Sequence, residues 1–406
     1  MLIVKIAFRN VLRQRRRSLL TILSMTGGFV LCAISVSLLE GSYGNVIDIF
    51  TLDHTGHIQI HKDNYMNRPK MYKTIVDINK VEEILAAQDT VTSFSPRVFA
   101  PALAYAENKT SPVRVIGVDI VREPTTSRLK DKVHQGTYFD STPGADGYFK
   151  AMIGKGVADT LELGIGDEII LISQGADGSI ANDIFIVMAV VGNKTSYDRL
   201  AVYLPLPVAQ MFLSLGASVH EYVILVSEKN DNEQIAGEIQ ALLPELTVSP
   251  WQVVEETFYH TMQSDKQGNH FMLGIIIFIV FIGVLNTVLM SVLERTREFG
   301  VLRAIGSRPA EIIKMIFLET NMLAGISVSA GILLSIPIIL WFTHVGIELP
   351  EPIDMGGIQF QYMTGEFSVF VFAVPTALIL GFSAAVSIPP GLRAARILPR
   401  DALGSH

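Results

Sequence analysis

One cysteine in 406 residues, Cys32, excludes an internal disulfide and any metal site built on thiolates. Charge is sparse as well. Asp, Glu, Lys and Arg make up 17% of the chain against 49% apolar residues, with a mean hydropathy of +0.39. A soluble domain carries about 25% charged residues, so this balance indicates a membrane protein with a sizeable polar portion. A net charge of −7 gives no case for nucleic acid as a partner, because phosphate neutralisation needs clustered Lys and Arg on an exposed face. The one dense basic run, Arg13 with Arg15–Arg17, abuts an apolar segment and reads as a topology signal. No G-x-x-x-x-G-K-[ST] occurs, so the chain binds no ATP in a P-loop of its own, and H-E-x-x-H and G-x-S-x-G are missing too. Nothing points to an enzyme. The apolar runs hold almost no charge, so a proton-coupled transporter lacks its usual relay, and any energy used must arrive through a partner.

What is abundant is apolar sequence in long runs. Residues 19–39 and 271–293 contain no charge over 21 and 23 residues. A helix rising about 1.5 Å per residue crosses a bilayer core of roughly 30 Å in ~20 residues. Two further runs, within 315–342 and over 367–388, complete a set of four expected spans. The first lacks the short apolar core and small-x-small cleavage site of a signal peptide, so it reads as a retained span. Segments 1–18, 294–314 and 389–403 hold six, five and three Lys or Arg, whereas the short loop 343–366 has none, so both termini are expected in the cytoplasm. The expected fold class is a polytopic α-helical membrane protein with four transmembrane helices and a large mixed α/β extracytoplasmic domain between helices 1 and 2. Residues 1–18 alternate apolar and basic side chains and read as an amphipathic helix on the inner membrane surface; the alternative is a plain basic flank. With so short a leader, a fused ATPase domain is not expected, and Gly404–His406 reads as the remnant of a purification tag.

Small residues recur every four positions in three spans: Ser24, Gly28 and Cys32; Ser327, Gly331 and Ser335; Ala377, Gly381 and Ala385. Such faces let helices approach closely, although ordinary small-residue content gives the same pattern. Pro337 is placed to kink the third span. Glu319, at its inner end, is expected to snorkel or to pair with Arg303 or Lys314.

The segment 41–270 contains no further span, and its 230 residues suffice for one large domain or two small ones. Alternation predicts strands at 57–61, 98–105, 113–118, 168–172, 184–191 and 222–226, and helices at 78–87, 155–163 and 232–243. The expected layout is an outer lobe over about 41–116 and 200–250, an inserted lobe over about 117–199, and a stalk over about 251–270. No proline lies between Trp251 and Arg308, so the stalk reads as a helix entering the second span, with Gly268 and Asn269 as the place where it could instead break. His54, His57 and His61 invite a metal reading with Asp53 or Asp63, but only His57 and His61 share a strand face, and surface histidines are the better reading.

The stretches KIAFRNVLRQRRRSLLTILSM, TGHIQIH, GDEIILISQGADGS, ERTREFGVLRAIGSRPAEIIKMIFLE and PPGLRAARILPRDAL together resemble the permease subunits of MacB/FtsX-type ABC transporters, with the LolC/LolE lipoprotein-releasing branch nearest. The resemblance covers essentially the whole chain. It implies a four-span permease of the bacterial inner membrane that pairs with a second permease, itself or a sister chain, and works on two copies of an ABC ATPase. ATP and Mg would be bound by those partners, with no cofactor in this chain, and motion would be delivered to the periplasm. By position the resemblance makes 294–314 the ATPase-coupling segment: Glu294, Arg295, Arg297, Glu298 and Arg303 as polar contacts, Phe299, Val301 and Leu302 as apolar anchors, Gly300 and Gly306 at tight turns. In the lipoprotein-releasing branch, cargo leaves through a cavity between two permeases and passes to a periplasmic carrier. Phe29, Leu31, Ile34 and Leu38 with Ile275, Phe278, Ile282 and Leu285 could line such a cavity, or could face lipid or the partner; the tip SQGADGSIAND could meet a carrier or be an ordinary hairpin. A second reading is an FtsX-like regulator that activates a periplasmic cell-wall hydrolase and moves no cargo.

Overall fold

A computed structural model of the chain describes residues 7, 9–10, 13, 15–139, 147–227, 231–355 and 358–396. Most of the expected amphipathic segment 1–18, the end of the tail and the tag remnant lie outside the described residues. The chain divides into two compact units, one made of Met1–Asn45, Met262–Leu349 and Tyr362–His406, the other of Val46–Thr261 and Pro350–Gln361.

The first unit is helical. Its long elements are α1 (Arg15–Phe50), α8 (Glu256–Glu294), α10 (Pro309–His344) and α11 (Val369–Ala395), with the short α9 (Thr296–Ala304) between α8 and α10. Each of the four long helices is long and apolar enough to cross a membrane. Helices that are apolar all round have no single stripe to dictate which side turns inward, so small residues decide the packing. A Cβ on Gly28 would lie 2.7 Å from Val280 of α8, and one on Gly331 would lie 2.6 Å from the ring of Phe29. These two glycines let α1 meet α8 and α10. The buried Ser327 and Ser335 line the same contact, where the Thr26 hydroxyl donates to the Ser327 carbonyl at 3.2 Å. The third small-residue face behaves differently. Ala377, Gly381 and Ala385 are exposed, and a Cβ on Gly381 would meet nothing within 4 Å. α11 packs instead through Val371, Val386 and Ala394, with a Ser383–Asn321 hydrogen bond of 3.1 Å to α10. The helix α10 is continuous through Pro337.

The second unit is a twisted mixed sheet of ten strands. Nine follow the order β10 (Thr247–Pro250), β1 (Ile58–His61), β9 (Glu221–Val226), β2 (Val91–Ala106), β3 (Lys109–Val118), β8 (Ala201–Pro205), β5 (Phe149–Gly154), β7 (Ile180–Val191) and β4 (Val133–Gly136). The tenth, β6 (Glu168–Gln174), pairs with β2 and β7. The alternating patterns seen in sequence correspond to these strands, with β2 far longer than its apolar centre indicates. Residues 117–199, expected as a separate lobe, share this sheet: β3 is parallel to β8, and β5 to β7. The tip between β6 and β7 is a tight turn in which Asp177 accepts from the Ser179 N–H at 3.0 Å, and Ile180 stands exposed beside it. One face is covered by α2 (Ile78–Ala86), α4 (Lys155–Leu161), α5 (Leu206–Phe212) and α6 (Asn232–Leu242). On α2 the i, i+4 pair Val81 and Leu85 is fully buried, and Asp77 caps its first turn at 3.3 Å from the Lys80 N–H. The expected helix from Trp251 breaks at Glu255 (φ −119°, ψ 57°), between α7 (Trp251–Val254) and α8, and passes straight through Gly268, where open surroundings impose no bend.

A charged cluster is buried inside the sheet. Arg97 of β2 meets Glu123 of α3 (Glu123–Thr126), which also accepts from the hydroxyls of Ser95 and Ser127 at 2.6 Å. Burial alone would raise the Glu123 carboxyl, but the Arg97 guanidinium and these donors hold it below the usual carboxylate range. The three histidines of the metal reading have separate tasks. His57 Nδ1 accepts from the Val226 N–H at 3.0 Å, His61 pairs with Glu221 at 3.1 Å, and His54 lies in the π-helical turn Thr51–Thr55 against Tyr197. His220, missed in sequence, is fully buried. Its Nδ1 accepts from the Phe99 N–H at 3.0 Å, so the proton sits on Nε2, which donates to the Met71 carbonyl at 3.1 Å. Burial therefore lowers its basicity.

A histidine held neutral in the fold stabilises it fully above its unfolded pKa of about 6.5 and less as pH falls below that value, by at most ~1.4 kcal/mol per pH unit. Glu123 adds a further loss below the carboxylate range. Urea unfolding read by the buried Trp251 in a Trp341→Phe background should show stability falling between pH 7 and 5, and falling less in His220→Gln. Equal slopes in the two proteins would contradict this account.

Candidate functional site

The α8–α9–α10 junction is the best-built polar feature of the helical unit. The chain leaves helical geometry at Arg295 (φ −102°, ψ 14°) and resumes as α9. It turns back at Gly306, whose φ of +101° is a conformation that costs glycine nothing. The next helix starts with Pro309 in its first turn, where Glu311 accepts from the Arg308 N–H at 3.0 Å. Gly300, expected at a turn, is instead a buried position within α9.

Arg295 is the hub. It is 6% exposed. Its Nη1 lies 2.9 Å from both carboxylate oxygens of Glu319 on α10, and its Nε donates to Glu298 at 2.8 Å. The guanidinium also lies 5.3 Å from the centre of the Phe299 ring, itself buried among Val292, Ile312, Met315 and Ala394. Beyond it, Arg13 approaches Glu298 at 3.8 Å. A cavity of about 30 Å³ bordered by Ser18, Thr21, Ser291 and Glu319 has room for one water. The partner of Glu319 is thus neither Arg303 nor Lys314. Arg303 donates to the Ser307 carbonyl at 3.2 Å and caps the turn, and Lys314 is exposed on α10. The 24-residue separation of Arg295 and Glu319 is a product of the helix–turn–helix path, which spacing alone does not reveal.

The coupling residues named from sequence therefore divide. Arg295, Phe299 and Gly300 face inward, Leu302 and Arg303 are half-buried, and Glu294, Arg297, Glu298 and Val301 are exposed. Ile305, 77% exposed at four residues from Val301, extends that outer face and was missed; the i, i+4 apolar spacing was its only signal. The candidate cavity residues also separate. Phe29 is sealed against Gly331, and Ile34, Leu38 and Leu285 are half-buried. Leu31, Ile275, Phe278 and Ile282 are exposed. Among the described residues no group of three or more His, Cys, Asp or Glu is placed to hold a metal ion.

Two family descriptions match this architecture in order. The MacB-like periplasmic core domain covers residues 18–242, more than half of the chain, and the FtsX-like permease C-terminal covers residues 270–399. The chain belongs to the MacB/FtsX-type ABC transporter permeases. It is thereby a multi-pass protein of the bacterial inner membrane. It is 25% identical over 98% of its length to a macrolide export ATP-binding/permease protein MacB of Sodalis glossinidius, covering 60% of that protein, and 28% identical over 66% of its length to one of Nitrobacter winogradskyi, covering 40%. It is 22% identical to the lipoprotein-releasing system transmembrane protein LolE of Haemophilus influenzae, with 82% of each chain covered. The chain spans about half the length of the MacB relatives it matches.

Removing one partner of a buried, hydrogen-bonded ion pair costs about 3–5 kcal/mol, whereas exposed substitutions stay within ~0.5 kcal/mol. Arg295→Gln should therefore destabilise the helical unit by several kcal/mol in SDS-titration unfolding followed by circular dichroism, and Arg297→Gln should not. Equal effects would show that the hub carries no such load.

Proposed function

We propose that this chain is the membrane subunit of an ABC transporter that relays ATPase motion across the inner membrane and extracts or exports lipoproteins or another amphipathic substrate. It would work as a pair of permeases, with itself or a sister chain, on two separate ATPase subunits that bind the ATP and Mg. Both termini and α9 would face the cytoplasm, as the distribution of Lys and Arg favours. The observation that carries the reading is the outer face of α9. Arg297, Val301 and Ile305 form an exposed polar–apolar stripe on a helix whose inner side is pinned to α8 and α10 by the buried Arg295. A partner pressing on that stripe would load both long helices. α1 and α8 run directly into the main segment of the sheet unit, so displacement entering at α9 would leave along them. The exposed apolar side chains Leu31, Ile275, Phe278 and Ile282 suit lipid, a second permease or acyl chains. The likeness to a lipoprotein-releasing transmembrane protein over 82% of each chain favours a lipidated cargo, which would need a periplasmic carrier to receive it.

Val301→Asp with Ile305→Asp should cut co-purification of an ABC ATPase encoded beside the permease by about tenfold or more, in keeping with loss of apolar anchors at an interface centre. The α-helical circular dichroism should be retained. Undiminished capture and undiminished ATP turnover would count against the coupling role. ATP turnover without release of a lipidated substrate from proteoliposomes would favour the regulator of an external hydrolase.

A further inference from the structure

The sheet unit contains a cavity of about 570 Å³ that no part of the coupling account uses. That volume lies in the range of small-molecule sites, roughly 300–1,000 Å³. Two irregularities of the backbone border it. One is the π-helical turn Thr51–Thr55, and the other is the break at Glu255 between α7 and α8. π turns are rare in helices and occur frequently at functional sites.

The walls are of two kinds. On one side Phe50 and Phe258 stack with ring centres 4.3 Å apart, and Ile49 continues the apolar surface. Tyr197 stands over His54 at 3.8 Å and is fixed from behind by the Arg114 guanidinium, 4.4 Å from its ring centre. On the other side Lys132 is clamped between Asp198 at 2.9 Å and Asp53 at 3.4 Å, so its charge is already answered. Arg128 is exposed at the rim, near Asp53. Glu255 differs. It is half-buried at the cavity wall, and among the described residues it has no ion-pair or side-chain hydrogen-bond partner. Burial alone raises its carboxyl above the ordinary range, with no cation near enough to oppose it. Among the lining residues the three carboxylates Asp53, Asp198 and Glu255 outnumber the two fixed cations Lys132 and Arg128, with His54 and His134 the remaining titratable groups.

We propose that this cavity binds a lipophilic organic amine, its apolar body on the Phe50–Phe258 pair and its ammonium on Glu255. An ammonium supplies the counter-charge the carboxylate lacks, and the aromatic faces add cation–π attraction within about 6 Å. The site lies wholly within the sheet unit and needs no ATPase, so it stands apart from the permease reading.

The probe is dansylcadaverine, a fluorescent primary amine, titrated into the full chain in lipid nanodiscs; its N-acetylated form is the uncharged control. Wild type should bind the amine saturably and the acetylated form at least about tenfold more weakly, as loss of a charge-assisted hydrogen bond demands. Glu255→Gln should weaken the amine by a similar factor while leaving the acetylated form unchanged. Thr257→Trp, an exposed change at the cavity wall, should exclude both while preserving the unfolding transition. Absence of saturable binding, equal binding of the two probes, or binding indifferent to both substitutions would overturn the proposal.

Discussion

A guanidinium buried at the end of a long apolar helix is tolerable only if its charge is answered on the spot. Arg295 is answered twice, by both oxygens of Glu319 and by Glu298. That requirement fixes much else in the helical unit. It sets where α8 must stop, since the backbone bends at Arg295 to bring the side chain inward. It sets the direction of α9, whose Phe299 covers the guanidinium, and it ties α10 to the turn through Glu319. With the inner side of α9 so committed, Arg297, Val301 and Ile305 are left outside. A pinned inner side and an exposed outer face are what the proposed coupling role of α9 requires.

The four long apolar helices were legible because a helix able to cross lipid must be a long uncharged run, and that leaves its mark in sequence. The strands of the sheet unit were legible for a similar reason: one face of each is buried, and period-two alternation follows. Long-range pairing was not. Nothing in the residues joins Arg295 to Glu319, or brings Arg97 to Glu123 and Glu221 to His61. The small-residue faces illustrate the limit. Gly28 and Gly331 are at close helix contacts, whereas Gly381 has the same spacing and an open surface, because spacing reports what a helix could pack against, not what it meets.

The sheet unit applies a comparable economy on a different scale. Its long strand β2 pairs with β9 along its first half and with β3 and β6 along its second, so a single strand joins residues expected to form two lobes. Segments 51–55 and 251–258 depart from regular helix where they border the cavity, near the two ends of the Val46–Thr261 segment.

The load placed on Arg295 is tested most directly by a double-mutant cycle with Arg295→Met, Glu319→Leu and the pair, each unfolded in the same detergent series. If the two side chains form one buried unit, the double substitution should be less damaging than the two single losses combined, with a coupling of about 1–3 kcal/mol. Losses that add to within ~0.5 kcal/mol would mean that the ion pair does not hold α9 in place.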